Sequence, residues 1–170
     1  LGLKGLKRIF LVNDQLYALQ ENIGLSSLVG NKPMVVIDWE VLKEVKIRDM
    51  LAFKDDQILV LTAKRGLFTL IKVHDTYPAM ARFNTEIDGF LYANTIEQGL
   101  LLRNGNISIG TNGQGIVVID DKGRIIQFVN KQSILQDASI AYQYQDSQGS
   151  LWLALHNGIA KLDISAPIVS

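Results

Sequence analysis

The chain contains no cysteine among its 170 residues. Disulfides, thiolate metal sites and cysteine nucleophiles are therefore excluded, although this leaves the compartment open. It also lacks an excess of either charge: Lys and Arg number 17, and so do Asp and Glu. Such a chain has no long-range field to draw in DNA, RNA or an anionic membrane, and its densest basic stretch, Lys4 to Arg8, is modest. No apolar run reaches the roughly eighteen residues that a membrane helix needs, so no direct membrane contact is expected, and no signal peptide is visible. There are two histidines, His74 and His156, without His-x-x-x-His spacing or an evident third ligand. Metal binding is not expected from them, nor is a cofactor. With 48% apolar and 20% charged residues the chain reads as globular rather than disordered, and long enough for its own core.

What is present is repetition. Four stretches join two short apolar strands at a glycine: Gln15–Leu19 to Gly24, Gln57–Thr62 to Gly66, Asn106–Thr111 to Gly115, and Ser150–Leu155 to Gly158. These glycines are 42, 49 and 43 residues apart. A period in the forties made of strands and turns is the signature of propeller blades. The fold class expected is all-β: a β-propeller segment of about four four-stranded antiparallel blades within 1–170, with repeats at 6–45, 46–90, 91–134 and 135–170.

The last repeat shows the grammar most plainly. Ile140–Tyr144 alternates at period two, as a strand does. Asp146-Ser147-Gln148-Gly149 is a turn, with the aspartate capping it through its side chain. Ser150–Leu155 is nearly all apolar, which predicts burial on both faces with Trp152 packed between blades. His156-Asn157-Gly158 is a tight turn into a third strand, Ile159–Ile164. In the preceding repeat the outer strand is Ile125–Val129, and Ser133–Ala138 crosses back to the next inner strand. Met34–Ile37 and Ala79–Phe83 are the outer strands expected upstream, and Trp39–Val45 is expected to be strand or irregular.

Asp146-Ser147-Gln148-Gly149-Ser150-Leu151-Trp152-Leu153-Ala154-Leu155-His156-Asn157-Gly158-Ile159 resembles the repeat of the two-component regulator propeller family. That pattern runs Asp, two variable residues, Gly, Asn or similar, Leu or Ile, Trp, an aliphatic, Gly or Ala, then a turn closing on Asn-Gly-Leu or Asn-Gly-Ile. Asn106–Ile116 is similar to a second copy, with its Gly110-Thr111-Asn112-Gly113-Gln114-Gly115 turn, but has Ser108 where the family prefers tryptophan. The earlier copies carry Tyr17 and Leu59 there. The close match covers about 94–168, and Ser165-Ala166-Pro167-Ile168 is similar to the junction leading into another blade. The resemblance implies a larger, about seven-bladed, propeller in the periplasmic sensor region of a bacterial signalling protein, with other blades or domains of the same full-length protein as neighbours. It also implies an oligosaccharide as the ligand in some members. Both chain ends then read as cuts through a larger protein; closure as four blades and pairing of two copies, a homodimer, are the alternatives.

Chemistry has little to stand on. Ser26, Ser27 and Ser108 lack a nucleophile elbow. The carboxylate pairs Asp55-Asp56 and Asp120-Asp121 could divide acid and base roles, but both sit in turn sequences that explain them. The Gly110–Gly115 loop lacks the lysine of a phosphate loop and no helix follows it. Trp39 lies off the repeat pattern, either in the core or as a platform for a sugar ring. A non-enzymatic protein is expected, with a protein-interaction scaffold and a glycan-active propeller enzyme as the rival readings. Because alternate strands of a blade run in opposite directions, the turn between second and third strands shares one face with the crossover between blades. That face carries Asn22, Lys64, Arg65, Asn112, Gln114, His156 and Asn157, with Gln136 and Asp137 nearby. Arg65, Asn112, Gln114, His156 and Asn157 are the ligand contacts expected, since amide, guanidinium and imidazole groups offer directed hydrogen bonds to sugars.

Overall fold

Period-two alternation broken at turn residues folds each repeat into an antiparallel sheet. A computed structural model describes residues 3–29, 32–71, 80–130 and 138–164. Sheet 1 contains β1 (Leu6–Val12), β2 (Gln15–Gln20), β3 (Gly24–Val29) and β4 (Lys32–Asp38). Sheet 2 contains β5 (Ile47–Ala52), β6 (Ile58–Thr62), β7 (Leu67–Leu70) and β8 (Met80–Phe83). Sheet 3 contains β9 (Ile96–Leu101), β10 (Ile107–Thr111), β11 (Ile116–Ile119) and β12 (Ile125–Val129). Sheet 4 contains β13 (Ile140–Gln145), β14 (Leu151–Leu155) and β15 (Gly158–Leu162), three strands among the described residues. Within every sheet the strands lie side by side in chain order. These sheets are the blades of a β-propeller segment, as the repeat predicts. His74, Gln136, Asp137 and the 165–168 junction fall outside the described residues.

The chain divides into two compact units, residues 1–62 with 67–83 and residues 63–66 with 84–170. In the first unit, alternate residues of sheet 1 (Phe10, Val12, Tyr17, Leu19, Leu25, Ile37) share a core with Ile47, Met50, Ile58, Val60 and Leu70 of sheet 2. In the second, Leu102, Ile116, Val118 and Val129 share one with Ile140, Leu151, Leu153, Leu155 and Leu162. Strands β6, β10 and β11 are buried along their whole length, and the apolar runs of β6 and β11 are what coverage of both faces requires.

Sheets 3 and 4 also share a buried polar contact. The Ser108 hydroxyl donates to Gln143 Oε1 at 2.5 Å, and Gln143 Nε2 donates to the Gln98 carbonyl at 3.2 Å. Gly110 on β10 makes room: a Cβ there would stand 2.8 Å from Ile140 Cγ2 and 3.0 Å from Gln143 Nε2. Tryptophan, preferred by the resembling repeat at position 108, has no space in this arrangement, because the serine is fully buried against Gln143.

Strand β14 departs from expectation. Its residues alternate, and Trp152 is 38% exposed rather than packed between sheets. The cross-strand pairs Tyr144–Trp152, Tyr142–Ala154 and Ala154–Ile159 put Tyr142, Tyr144, Trp152 and Ile159 on one face of sheet 4, which no described sheet covers. The indole is held in place instead: its N–H donates to Asp146 Oδ2 at 2.8 Å, and the Lys161 ammonium lies 5.3 Å from the ring.

Two short helices interrupt the strands, the first within 39–45, where strand or irregular backbone is expected. In α1 (Trp39–Leu42) the Lys43 amide donates to the Trp39 carbonyl at 2.7 Å, and the turn drops Leu42 and Val45 onto the first unit's core. That three-residue spacing of apolar anchors is why the segment coils rather than extends. In α2 (Asp88–Ala93) the Thr85 hydroxyl donates to Asp88 Oδ1 at 2.8 Å across the first turn, and Leu91 is fully buried.

The aspartates of the turn sequences act as turn caps. Asp120 Oδ1 accepts the amides of Lys122 and Arg124 at 2.9 and 2.8 Å, and Oδ2 accepts Arg124 Nε at 2.7 Å. Burial alone would raise the Asp120 carboxyl, but these Arg124 and Lys122 donors outweigh it and hold it below its ordinary 3.8. Asp146 is held low first by the Trp152 indole N–H, against burial, with help from the Ser150 and Gln148 amides and the Lys161 charge. A carboxyl lowered on folding stabilises the protein above its unfolded pKa, and that stabilisation is lost as pH falls through the folded value. The urea midpoint of unfolding should therefore hold from neutral pH to about 5 and fall in stronger acid, with a shallower acid limb in Asp146→Asn.

Candidate functional site

The turns after β6, β10 and β14 occupy the same edge of their sheets, where the next inner strand begins. All belong to the second unit. Arg65 stands on the first turn, Asn112 and Gln114 on the second, His156 and Asn157 on the third, and all five are exposed. Backbone hydrogen bonds stitch the turns into a row. The Ile96 amide donates to the Ala63 carbonyl at 3.0 Å, and the Asn112 amide to Thr95 O at 2.9 Å. The Gly115 amide donates to Ala138 O at 2.7 Å, and the His156 amide to Ser139 O at 3.1 Å. Thr111 clamps the middle turn, its hydroxyl donating to Gly115 O at 2.8 Å, and the Ser139 hydroxyl donates to Asn112 Oδ1 at 3.3 Å. The outcome is an edge lined with amide, guanidinium and imidazole groups.

A concave site lies in the first unit, at the corresponding edge of sheet 1. It is a cavity of about 520 Å³, within the range of small-ligand pockets. Its walls are the start of β1, the end of β2, and the α1 crossover into β5. Trp39, half-buried, forms part of the lining, with Leu19 and Leu42 giving apolar surface. Five lining residues are lysine or arginine and two are glutamate. Lys7 pairs with Glu21 at 2.7 Å, and Lys43 pairs with Glu40 at 2.6 Å. Arg8 donates one guanidinium N–H to the Arg48 carbonyl. Of these lining residues, Trp39 is the one that the sequence offers as a sugar platform, and the structure puts it in the lining of the cavity, on the crossover edge.

The serines considered as nucleophiles are all inaccessible. Ser108 is tied to Gln143, and the Ser26 and Ser27 hydroxyls are buried with no hydrogen-bond partner among the described residues. Asp56 is exposed in a one-turn 3-10 segment, and the side chain of Asp55 lies outside the described set. Among the described residues, no group of three or more His, Asp or Glu could hold a metal ion, and no helix is long and apolar enough to cross a membrane.

No protein-family model and no curated protein sequence matches the chain. Solved structures do. The extracellular domain of BT3049 from B. thetaiotaomicron, assigned as a hybrid two component system, superposes with a TM-score of 0.69 at 17% identity, over 93% of this chain and 21% of that one. The extracellular domain of BT4673 from the same organism, assigned as a one component system, gives 0.51 at 19% identity, over 91% and 27%. The PQQ domain of pyranose dehydrogenase from Coprinopsis cinerea gives 0.54 at 11% identity, over 95% and 48%. The chain thus spans less than two thirds of each of these structures. Two of the three are extracellular domains of the kind of regulator whose repeat the sequence resembles, and what this likeness shows is the fold, a run of β-propeller blades.

Proposed function

We propose that the chain is a non-catalytic part of the periplasmic sensor region of a bacterial signal-transduction regulator, and that it binds an oligosaccharide along the turn row of the second unit. The observation that carries this reading is the row itself: three successive turns, fixed by backbone hydrogen bonds, present Arg65, Asn112, Gln114, His156 and Asn157 on one edge. Rigid placement lowers the ordering cost of binding, and amide and imidazole groups match the paired donors and acceptors of sugar hydroxyls. The likeness in fold to extracellular domains of two regulators supports the sensor role. The remaining parts of the full-length protein, or a second copy of the chain, are the macromolecular partners of this reading. Binding changes the output only through a difference in affinity between two states of the whole protein.

The test is a calorimetric screen of neutral oligosaccharides against the wild type and an Asn112→Ala/His156→Ala variant. Both substituted residues are exposed, so the unfolding midpoint should not move. The expected result is a bound glycan whose affinity falls at least about tenfold in the variant. A glycan that binds both proteins equally, or a screen without binding, overturns the reading. The second outcome would favour a protein-interaction scaffold, for which the uncovered Tyr142, Tyr144, Trp152 and Ile159 face speaks.

A further inference from the structure

We propose that the cavity in the first unit is a second binding site, one for an acidic saccharide bearing carboxylate or sulfate groups. It uses none of the turn-row residues. The choice of a saccharide over another anion rests on the function proposed above, whereas the positive character of the cavity does not.

Charge is the first argument. The chain as a whole is neutral, yet the cavity lining holds five cations against two carboxylates. Two of the cations, Lys7 and Lys43, are already matched by Glu21 and Glu40. Among the described residues neither Lys46 nor Arg8 has a carboxylate partner within ion-pair distance, and Arg8 spends one N–H on a backbone carbonyl. A fork-shaped guanidinium and a lysine ammonium facing one concavity suit a ligand with two separated anionic groups.

The second argument is the wall. Trp39 begins the crossover turn, with its amide donating to the Ile23 carbonyl at 3.2 Å, and its ring contributes to the lining while remaining half-buried. An indole face beside cations offers flat apolar contact to the C–H face of a pyranose while the cations take its acidic substituents. The backbone explains how the set arises. Leu42 and Val45 anchor the crossover in the core, so Lys43 and Lys46, each one residue further on, stay exposed.

The test uses tryptophan emission. Trp39 and Trp152 are the two tryptophans of the chain, so Trp152→Phe leaves Trp39 as the reporter. In that background tetragalacturonate, maltotetraose and citrate are titrated, and tetragalacturonate is titrated again after Lys46→Glu, Arg8→Gln and Asn112→Ala. Binding of tetragalacturonate to the unaltered chain is also followed by calorimetry. The expected result is saturable tetragalacturonate binding with a change in Trp39 emission, no binding of maltotetraose, citrate at least about tenfold weaker, and at least about tenfold loss in Lys46→Glu and Arg8→Gln but none in Asn112→Ala. Citrate as tight as tetragalacturonate would overturn the saccharide assignment. Binding lost in Asn112→Ala but kept in Lys46→Glu would place the ligand on the turn row, so the proposed function would stand and this one would fall. No binding of any probe overturns this proposal and leaves the neutral-glycan screen to decide the other.

Discussion

Gly115→Ala should destabilise the second unit by about 3 kcal/mol or more, among the largest single-residue effects expected here. Two costs coincide at this position. Its φ of +75° is a conformation that L-residues adopt only with strain. A Cβ would also stand 2.1 Å from the Val129 carbonyl oxygen, far inside contact distance, and that atom belongs to the backbone of β12. Either β11 or β12 must move, and their pairing from Ile116–Val129 onward would be disturbed. Gly24 repeats the arrangement in sheet 1, with φ +115° and a Cβ position 2.1 Å from the Ile37 carbonyl. Gly158, at the same place in sheet 4, is the control: its φ is +107°, but nothing among the described residues lies within 4 Å of its Cβ position. Gly158→Ala should therefore cost only the conformational part, about 1–2 kcal/mol. Urea unfolding of the three variants measures the difference. Equal losses at Gly115 and Gly158 would mean that the fourth strand does not press on the turn as described.

Gln143→Leu should cost about 2 kcal/mol even though it places an apolar residue at a buried position. The side chain is 1% exposed and serves the buried Ser108 hydroxyl and the part-buried Gln98 carbonyl. Removing it strands the Ser108 hydroxyl, and a buried polar group without a partner bears its full desolvation penalty. The pair can be tested against itself. In Ser108→Ala/Gln143→Leu the stranded hydroxyl is gone, so the double variant should recover about 1 kcal/mol relative to Gln143→Leu alone. A double variant that loses the sum of the two single effects would show that Ser108 and Gln143 are not coupled.

The strands were legible because their signals are local. Period-two alternation and Gly, Asn and Asp at the turns place β8, β12 and β13 within one residue, and β4 within two, of where they stand. Helix α2 carried a readable signal as well: Thr85 followed three residues later by Asp88 is the start of a capped turn, and the side chains meet as that spacing allows. Trp152 was misjudged for a different reason. Its run of apolar neighbours implies two covered faces, but coverage is supplied by another sheet, which the run itself does not encode. The cavity was not legible either. Its lining comes from β1, the end of β2 and the crossover, and only the return of the chain to the same edge brings Lys7 and Arg8 beside Trp39 and Lys46. The turn row could be anticipated because each of its turns recurs once per repeat.

The aromatic side of sheet 4, uncovered among the described residues, bears on how this protein can be handled at the bench. A solvatochromic dye such as ANS lights up on exposed apolar surface, which ordinarily signals loss of tertiary packing. Here Tyr142, Tyr144, Trp152 and Ile159 offer such a surface while the chain is fully folded. Dye-based melting curves should start bright and change little at the transition, so far-UV circular dichroism is the sounder way to follow it.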